Sequence, residues 1–428
     1  MPGTGTSRAR RWAVLGIVAM LAAPVSAVEV DARAFGARGD GRQDDTRALQ
    51  GAIQALEGRG GVLFLSPGRY LLSAPLRVGL PGADRRLRIT GRDAVLVQTA
   101  VDAPALEIVG ARDIEVVGLD FVGSPPTRGR HTPDALGIRV SGAERVRIAG
   151  NRFSSFAYAA ILWERVTGIV IEDNQITGNG PLPIDSGANY QFGITAYRSG
   201  AGHHGARVRR NRIERTTQGI VLGDDHSDVQ ITGNEIREIY GQHAIHIGAS
   251  RKVRIARNRL TDIRYDGIKV HAVASSAWRG EDIRLERNEI VRCGQTAVAV
   301  VRGSGDGSLA GVRIEKNRIV GARRGIALVA AEAARVAGNR IESPETYGIS
   351  LEEVSGVVVG NRIRGARRAA ISAAPGPGRR LAVRGNRICA MPVGPGQEER
   401  AIRVSGPGSV ATRGNRVRGC PDDRKPST

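Results

Sequence analysis
The sequence predicts an all-β fold: a single-stranded right-handed parallel β-helix, a solenoid of about 11–13 coils, closed at its start by an amphipathic capping helix. Three observations predict it. The phrase Asn-x-Ile, with Phe, Leu or Val replacing Ile in some repeats, recurs at Asn151, Asn174, Asn211, Asn234, Asn258, Asn288, Asn317, Asn339, Asn361, Asn386 and Asn415. Its intervals run from 22 to 37 residues around a basic period of 22 to 24, the length of one coil with loops inserted here and there. Between successive asparagines a small residue leads an alternating apolar pair, as in GIRV at 137, GIVL at 219, AIHI at 244, GIKV at 267 and GISL at 348. Short period-2 strands separated by glycine and polar turns are the content of a β-helix coil. Third, a helix-period apolar face stands ahead of the repeats.

Taken in order, residues 1–27 form a leader in which Arg8, Arg10 and Arg11 precede an apolar run from Trp12 to Ala23 that closes on Val25-Ser26-Ala27. This is the pattern of a secretory signal peptide, and the paired arginines suit twin-arginine export as well as the general secretory route. No later stretch approaches the roughly 18 apolar residues of a membrane span, so no stable membrane insertion is expected and the mature chain belongs in the periplasm or outside the cell. Residues 28–60 form the cap. Within it a helix is expected over about 44–57, with Asp44, Asp45 and Thr46 offering N-cap oxygens, Ala48, Leu49, Ala52, Ile53 and Leu56 on one face, and Gly58 as the stop. Such a helix would cover the open apolar end of a solenoid. The coils occupy 61–420 and a polar tail 421–428. Their asparagines should stack as an internal ladder, because a buried amide can be satisfied by the amide of the next coil. Leucine-rich repeats are the structural alternative, and the leucine scaffold they need is absent.

The cap carries a family resemblance. AFGARGDGRQDDTRALQGAIQAL at 34–56, followed by GGVLFLSPGRY at 60–70, resembles the N-terminal signature and first strand of the pectate-lyase superfamily, the pectin-lyase-like β-helix proteins. That resemblance implies the fold. It does not select a reaction, because the superfamily includes hydrolases, lyases, epimerases and inert binding proteins.

Charge and cysteines bound the partners. The net charge is +21, and +18 remains without the leader's three arginines. Only four of the 63 basic residues are lysine, so part of the excess reflects an arginine-favouring composition. The functional reading is attraction to an anionic polysaccharide rather than nucleic acid, by a chain expected to be a monomer. Cys389 and Cys420 fall in the last two coils, where a staple is feasible, and Cys293 lies several coils away and should be free.

Aligning the coils places a column of outward residues at Arg139, Leu162, Thr195, Val221, His246, Lys269, Ala299 and Ala327. A second outward column holds Ser141, Glu164, Tyr197, Gly223, Gly248, His271, Val301 and Val329, with the two glycines expected to leave a trough. Six of the seven histidines lie between 203 and 271, and insertions bracket the same coils. The candidate groove therefore runs over Gly193–Arg302. Its catalytic candidates are His246, Lys269, His271 and Arg302, and its substrate-binding candidates are Tyr197, Arg198, Asp224, Asp225, His243, Tyr265 and Asp266.

GQHAIHIGAS at 241–250 resembles the Gly-His-Gly strand of polygalacturonases, and GIKV at 267–270 their Arg-Ile-Lys strand, which matches His243 and Lys269 to that family's histidine and lysine. The match stops there: the acid positions read Gln191-Phe192 and Thr217-Gln218, and Gly267 replaces the arginine. Inverting hydrolysis needs two carboxyls. β-Elimination from a uronic-acid polymer instead needs a cation for the carboxylate, a base for the C5 proton and an acid for the leaving oxygen, all available here. A lysine on one coil and an arginine on the next resemble alginate and chondroitin lyases of this fold. Polysaccharide lyase is the leading expectation. A non-catalytic binding or structural solenoid, a C5 epimerase and a glycoside hydrolase are the alternatives. No cofactor is called for; calcium, if used, would take Asp224, Asp225 and Asp228.

Overall fold
In the computed structural model, residues 28–79, 86–123, 132–178, 191–196, 203–272, 281–302, 309–390 and 401–420 are described. The leader, the polar tail, Tyr197 and Arg198 lie outside the described residues. The chain forms a parallel β-solenoid of about 12 turns with an α-helix, Thr46–Leu56, near its start. Every paired strand is parallel to its neighbour one coil away, as at Ile220–Ile245–Ile268–Val298.

The asparagine ladder runs unbroken from Asn151 to Asn415. At each step the backbone N–H and the Nδ2 of one asparagine both donate to the Oδ1 of the next, at 3.0 and 3.1 Å for Asn151 to Asn174 and 2.9 Å each for Asn234 to Asn258. The second Nδ2 proton goes to a carbonyl of the preceding coil, Ile231 for Asn258. Each amide thus has its donors and acceptor satisfied in a dry corner, where an orphaned group would cost about 1–3 kcal/mol. The residue before each asparagine sits in the left-handed region, Arg210 at φ 54° and Gly233 at φ 66° among them. That turn sends the next strand off along a new face.

The helix buries Leu49, Ala52, Ile53 and Leu56 against the core that includes Leu63, Leu65 and Tyr70, as its periodicity requires. Its N-terminus meets the expectation in part, since Asp44 Oδ1 accepts from Thr46 N at 3.0 Å. Asp45 occupies the N-cap position without capping the helix; its carboxylate accepts from Arg38 N at 2.7 Å and Gly39 N at 3.1 Å and so fastens the preceding loop. Strands Glu29–Asp31 and Asp40–Asp44 already pair with the strands at 61–65 and 68–72, so regular pairing begins ahead of the helix. At the other end Cys389 and Cys420 are disulfide-bonded, with Cα atoms 5.0 Å apart, and Cys293 is free and buried.

Candidate functional site
The outward column has the expected register: Arg139–Leu162–Thr195–Val221–His246–Lys269–Ala299–Ala327, one residue per coil. Its exposure differs. Leu162, Thr195 and Val221 are fully buried, because Leu136, Tyr158, Ala159 and Phe192 join Leu162 and Val221 in a second apolar cluster outside the main core. In this column only Arg139, His246 and Lys269 are partly exposed, and Ala299 and Ala327 are buried again.

At His246 three histidines converge. His246 Nε2 lies 2.8 Å from His271 Nδ1, and His243 packs edge-on against His246 with ring centroids 5.0 Å apart. Lys269 pairs with His246 across the strands, yet the hydrogen bond goes to His271 on the diagonal, a direction the register alone does not reveal. Asp224 reaches over Gly248 and accepts from Ala249 N at 2.7 Å; a Cβ on Gly248 would stand 2.3 Å from Asp224 Oδ1. The expected trough is thus occupied by a carboxylate. Asp266 accepts from Thr296 N at 2.9 Å and stands 3.4 Å from His243 Nδ1.

Burial governs the proton affinities. It lowers His243 to about 3, with Lys269 and His271 adding to the effect. His246 falls to about 2 for the same reason, reinforced by His243, His271 and Lys269. His271 is lowered by burial and by Lys269, but the Asp224 carboxylate pulls it back up. All three imidazoles are neutral at pH 7; Asp224 favours the protonated form of His271, and Asp266 stands beside His243.

Arg302 ends its strand with its guanidinium toward Glu353, 3.6 Å away on a later coil, rather than toward the imidazoles. Tyr265 stands at the rim, 45% exposed. Asp225 has its carboxyl raised by burial and by the neighbouring Asp224. Among the described residues no group of three or more His, Cys, Asp or Glu is placed to hold a metal ion, and Asp224 Oδ1 is engaged by Ala249 N. The histidine-rich window also splits: His203 and His226 stack inside the solenoid at 4.4 Å near Trp163, and His204 bonds Ser227. The positions that would carry a hydrolase's acids hold Thr217 and Gln191, which bond each other at 2.7 Å.

A solenoid of this kind with a polar cluster on one outer face is a pectin-lyase-like right-handed parallel β-helix protein. The chain belongs to the right-handed β-helix region family, whose model matches residues 131–277 and 243–420. Among solved structures it resembles the surface adhesin PfbA of Streptococcus pneumoniae, at 15% identity over 92% of both chains with a TM-score of 0.58. It also resembles an exopolygalacturonase of Thermotoga maritima, at 13% identity over 91% of both chains and a TM-score of 0.53. The A-module of the mannuronan C-5 epimerase AlgE6 of Azotobacter vinelandii matches at 14% identity, 91% of this chain, 100% of that one and a TM-score of 0.52. Likeness at these identities establishes the fold. No curated protein matches the chain.

Proposed function
We propose that this protein is an exported polysaccharide lyase that cleaves an anionic uronic-acid polymer by β-elimination at the His246–Lys269–His271 cluster. The observation that carries the reading is the hydrogen-bonded pair of neutral imidazoles beside a lysine. In the productive tautomer His271 Nδ1–H donates to His246 Nε2, which leaves His271 Nε2 unprotonated and free to take the C5 proton. The imidazolium so formed is stabilised by Asp224, and the His246 bond fixes the ring. Lys269 pairs with the substrate carboxylate and stabilises the charge that develops as C5–H breaks. The electrons pass to the C4–C5 bond as the glycosidic oxygen leaves, taking its proton from an acid, for which the exposed Tyr265 is the candidate.

The test is the ultraviolet absorbance of unsaturated uronate ends during incubation with alginate, polygalacturonate and glycosaminoglycans, with and without calcium. The expected result is a rise on one polymer that Lys269→Ala slows by about 10²–10³-fold while polymer binding is kept. A flat trace on every polymer would contradict the proposal. The competing reading, a non-catalytic polysaccharide-binding solenoid, is favoured by the arginine excess; it predicts no turnover and an affinity lost in small steps over many arginines. A C5 epimerase would use the same proton abstraction and show solvent deuterium entering C5 with no absorbance rise.

A further inference from the structure
The residue that follows each ladder asparagine forms a column along one face of the solenoid. Through the middle coils this column alternates in sign: Arg212, Glu235, Arg259, Glu289 and Arg318 are register partners in turn. Neighbours there are ion-paired, at 2.9 Å for Arg318 with Glu289 and 3.8 Å for Arg259 with Glu289. Beyond Arg318 the alternation stops. Arg340, Arg362, Arg387 and Arg416 follow one another directly. The parallel column two residues further on adds Arg364 and Arg418. Together these six arginines line a groove of about 710 Å³ whose sole lining carboxylate among the described residues is Glu342, the partner of Arg340. Arg362, Arg387, Arg416 and Arg418 are exposed and make no ion pair or side-chain hydrogen bond among the described residues.

Like charges directly opposite one another on a sheet are destabilising. An arginine-favouring composition explains arginines everywhere, but not the disappearance of acids from one end. Residues 361–420 hold thirteen arginines and two glutamates, and both glutamates, Glu398 and Glu399, lie outside the described residues. The same column neutralises itself in the middle coils and, among the described residues, leaves its charge open in the last ones.

We infer that the arginine groove over Arg340–Arg418 is a second, non-catalytic binding site for a linear carboxylated polysaccharide. The guanidinium groups repeat at about 4.8 Å per coil, close to the length of one pyranose ring, so a chain bearing one carboxylate per sugar can run along the solenoid axis in register with them. Each guanidinium fork accepts a carboxylate in two parallel hydrogen bonds. The groove lies on a different strand of the coil from the imidazoles and starts three coils beyond Lys269, so it holds polymer without taking part in cleavage. It does not depend on the elimination reading, because a binding solenoid would use the same groove.

The experiment is affinity electrophoresis of the mature protein through gels containing polygalacturonate, alginate or neutral dextran, with duplex DNA as a competitor. The wild type should be retarded by a polyuronate and not by dextran. Arg362→Ser/Arg387→Ser should weaken that retardation at least tenfold. Arg207→Ser/Arg313→Ser, which removes the same charge from another face, should have a much smaller effect. If the double variant does not fold, Arg416→Gln at the open end of the solenoid reads the same site. Retardation equal to wild type in the groove variants, an equal loss in the control pair, or preferential binding of DNA would each overturn the inference. None of these outcomes involves the unsaturated product, so failure of the site and failure of the lyase assignment are separable.

Discussion
At His246 and His271 the solenoid removes charge by burying the groups that could carry it, whereas at Arg362 and Arg387 it leaves permanent charges in water with no counter-charge among the described residues. Both sets of side chains project from register-paired strands of one sheet system. What separates them is cover. Next to the imidazoles Leu162 and Val221 are roofed by Tyr158 and Phe192, and the dry surroundings depress the histidines. Arginine cannot be neutralised in that way, so an exposed arginine column keeps its charge until a ligand supplies the counter-charge. Repetition of a coil fixes where a side chain points; local cover decides whether it acts as a proton carrier or as an electrostatic handle.

The largest effect should come from the proton-carrying side of this contrast. His271→Gln keeps a hydrogen-bonding group toward His246 and removes the base, so turnover on the preferred polymer should fall by about 10²–10⁴-fold with the fold intact by circular dichroism. Turnover within a few-fold of wild type would remove His271 from the mechanism. A smaller effect is expected on the other side. Arg387→Glu restores alternating charge between Arg362 and Arg416 and should stabilise the chain by about 0.5–1 kcal/mol, read as a rise in melting temperature that added salt erases. A fall in melting temperature would mean that the arginines already have counter-charges.

Much of this arrangement was legible in the sequence. The Asn-x-apolar spacing locates the ladder, and the Gly-Ile-x-apolar alignment gives the outward register from Arg139 to Ala327 residue by residue. The helix follows from the spacing of Leu49, Ile53 and Leu56. The misses share a cause, since side-chain direction and cover are set by contacts between distant coils. Register places His246 beside Lys269, but the ring turns to His271; Arg302 adjoins the cluster in sequence terms, but Glu353 draws it away. Leu162 and Val221 alternate as outward residues and are buried by a local cluster that alternation does not reveal. Asp45 looks like a helix cap and instead holds Arg38 and Gly39. The arginine strip needed no structure. Reading the residue after each ladder asparagine exposes both the alternation and its end at Arg318, but net charge averages the two halves together.

The account rests most heavily on the imidazoles being neutral, with His271 the readiest to accept a proton. Their folded proton affinities lie below the unfolded value, so the stability they contribute is fully present above about pH 6.5 and is lost as pH falls toward the folded values. Histidine side-chain NMR across pH 8 to 4 measures this directly. His243 and His246 should hold their neutral shifts throughout, and His271 should be the first of the three to move, an order that Asp224→Asn delays. Three titrations clustered near 6.5 would contradict the claim that burial prepares this cluster as a base.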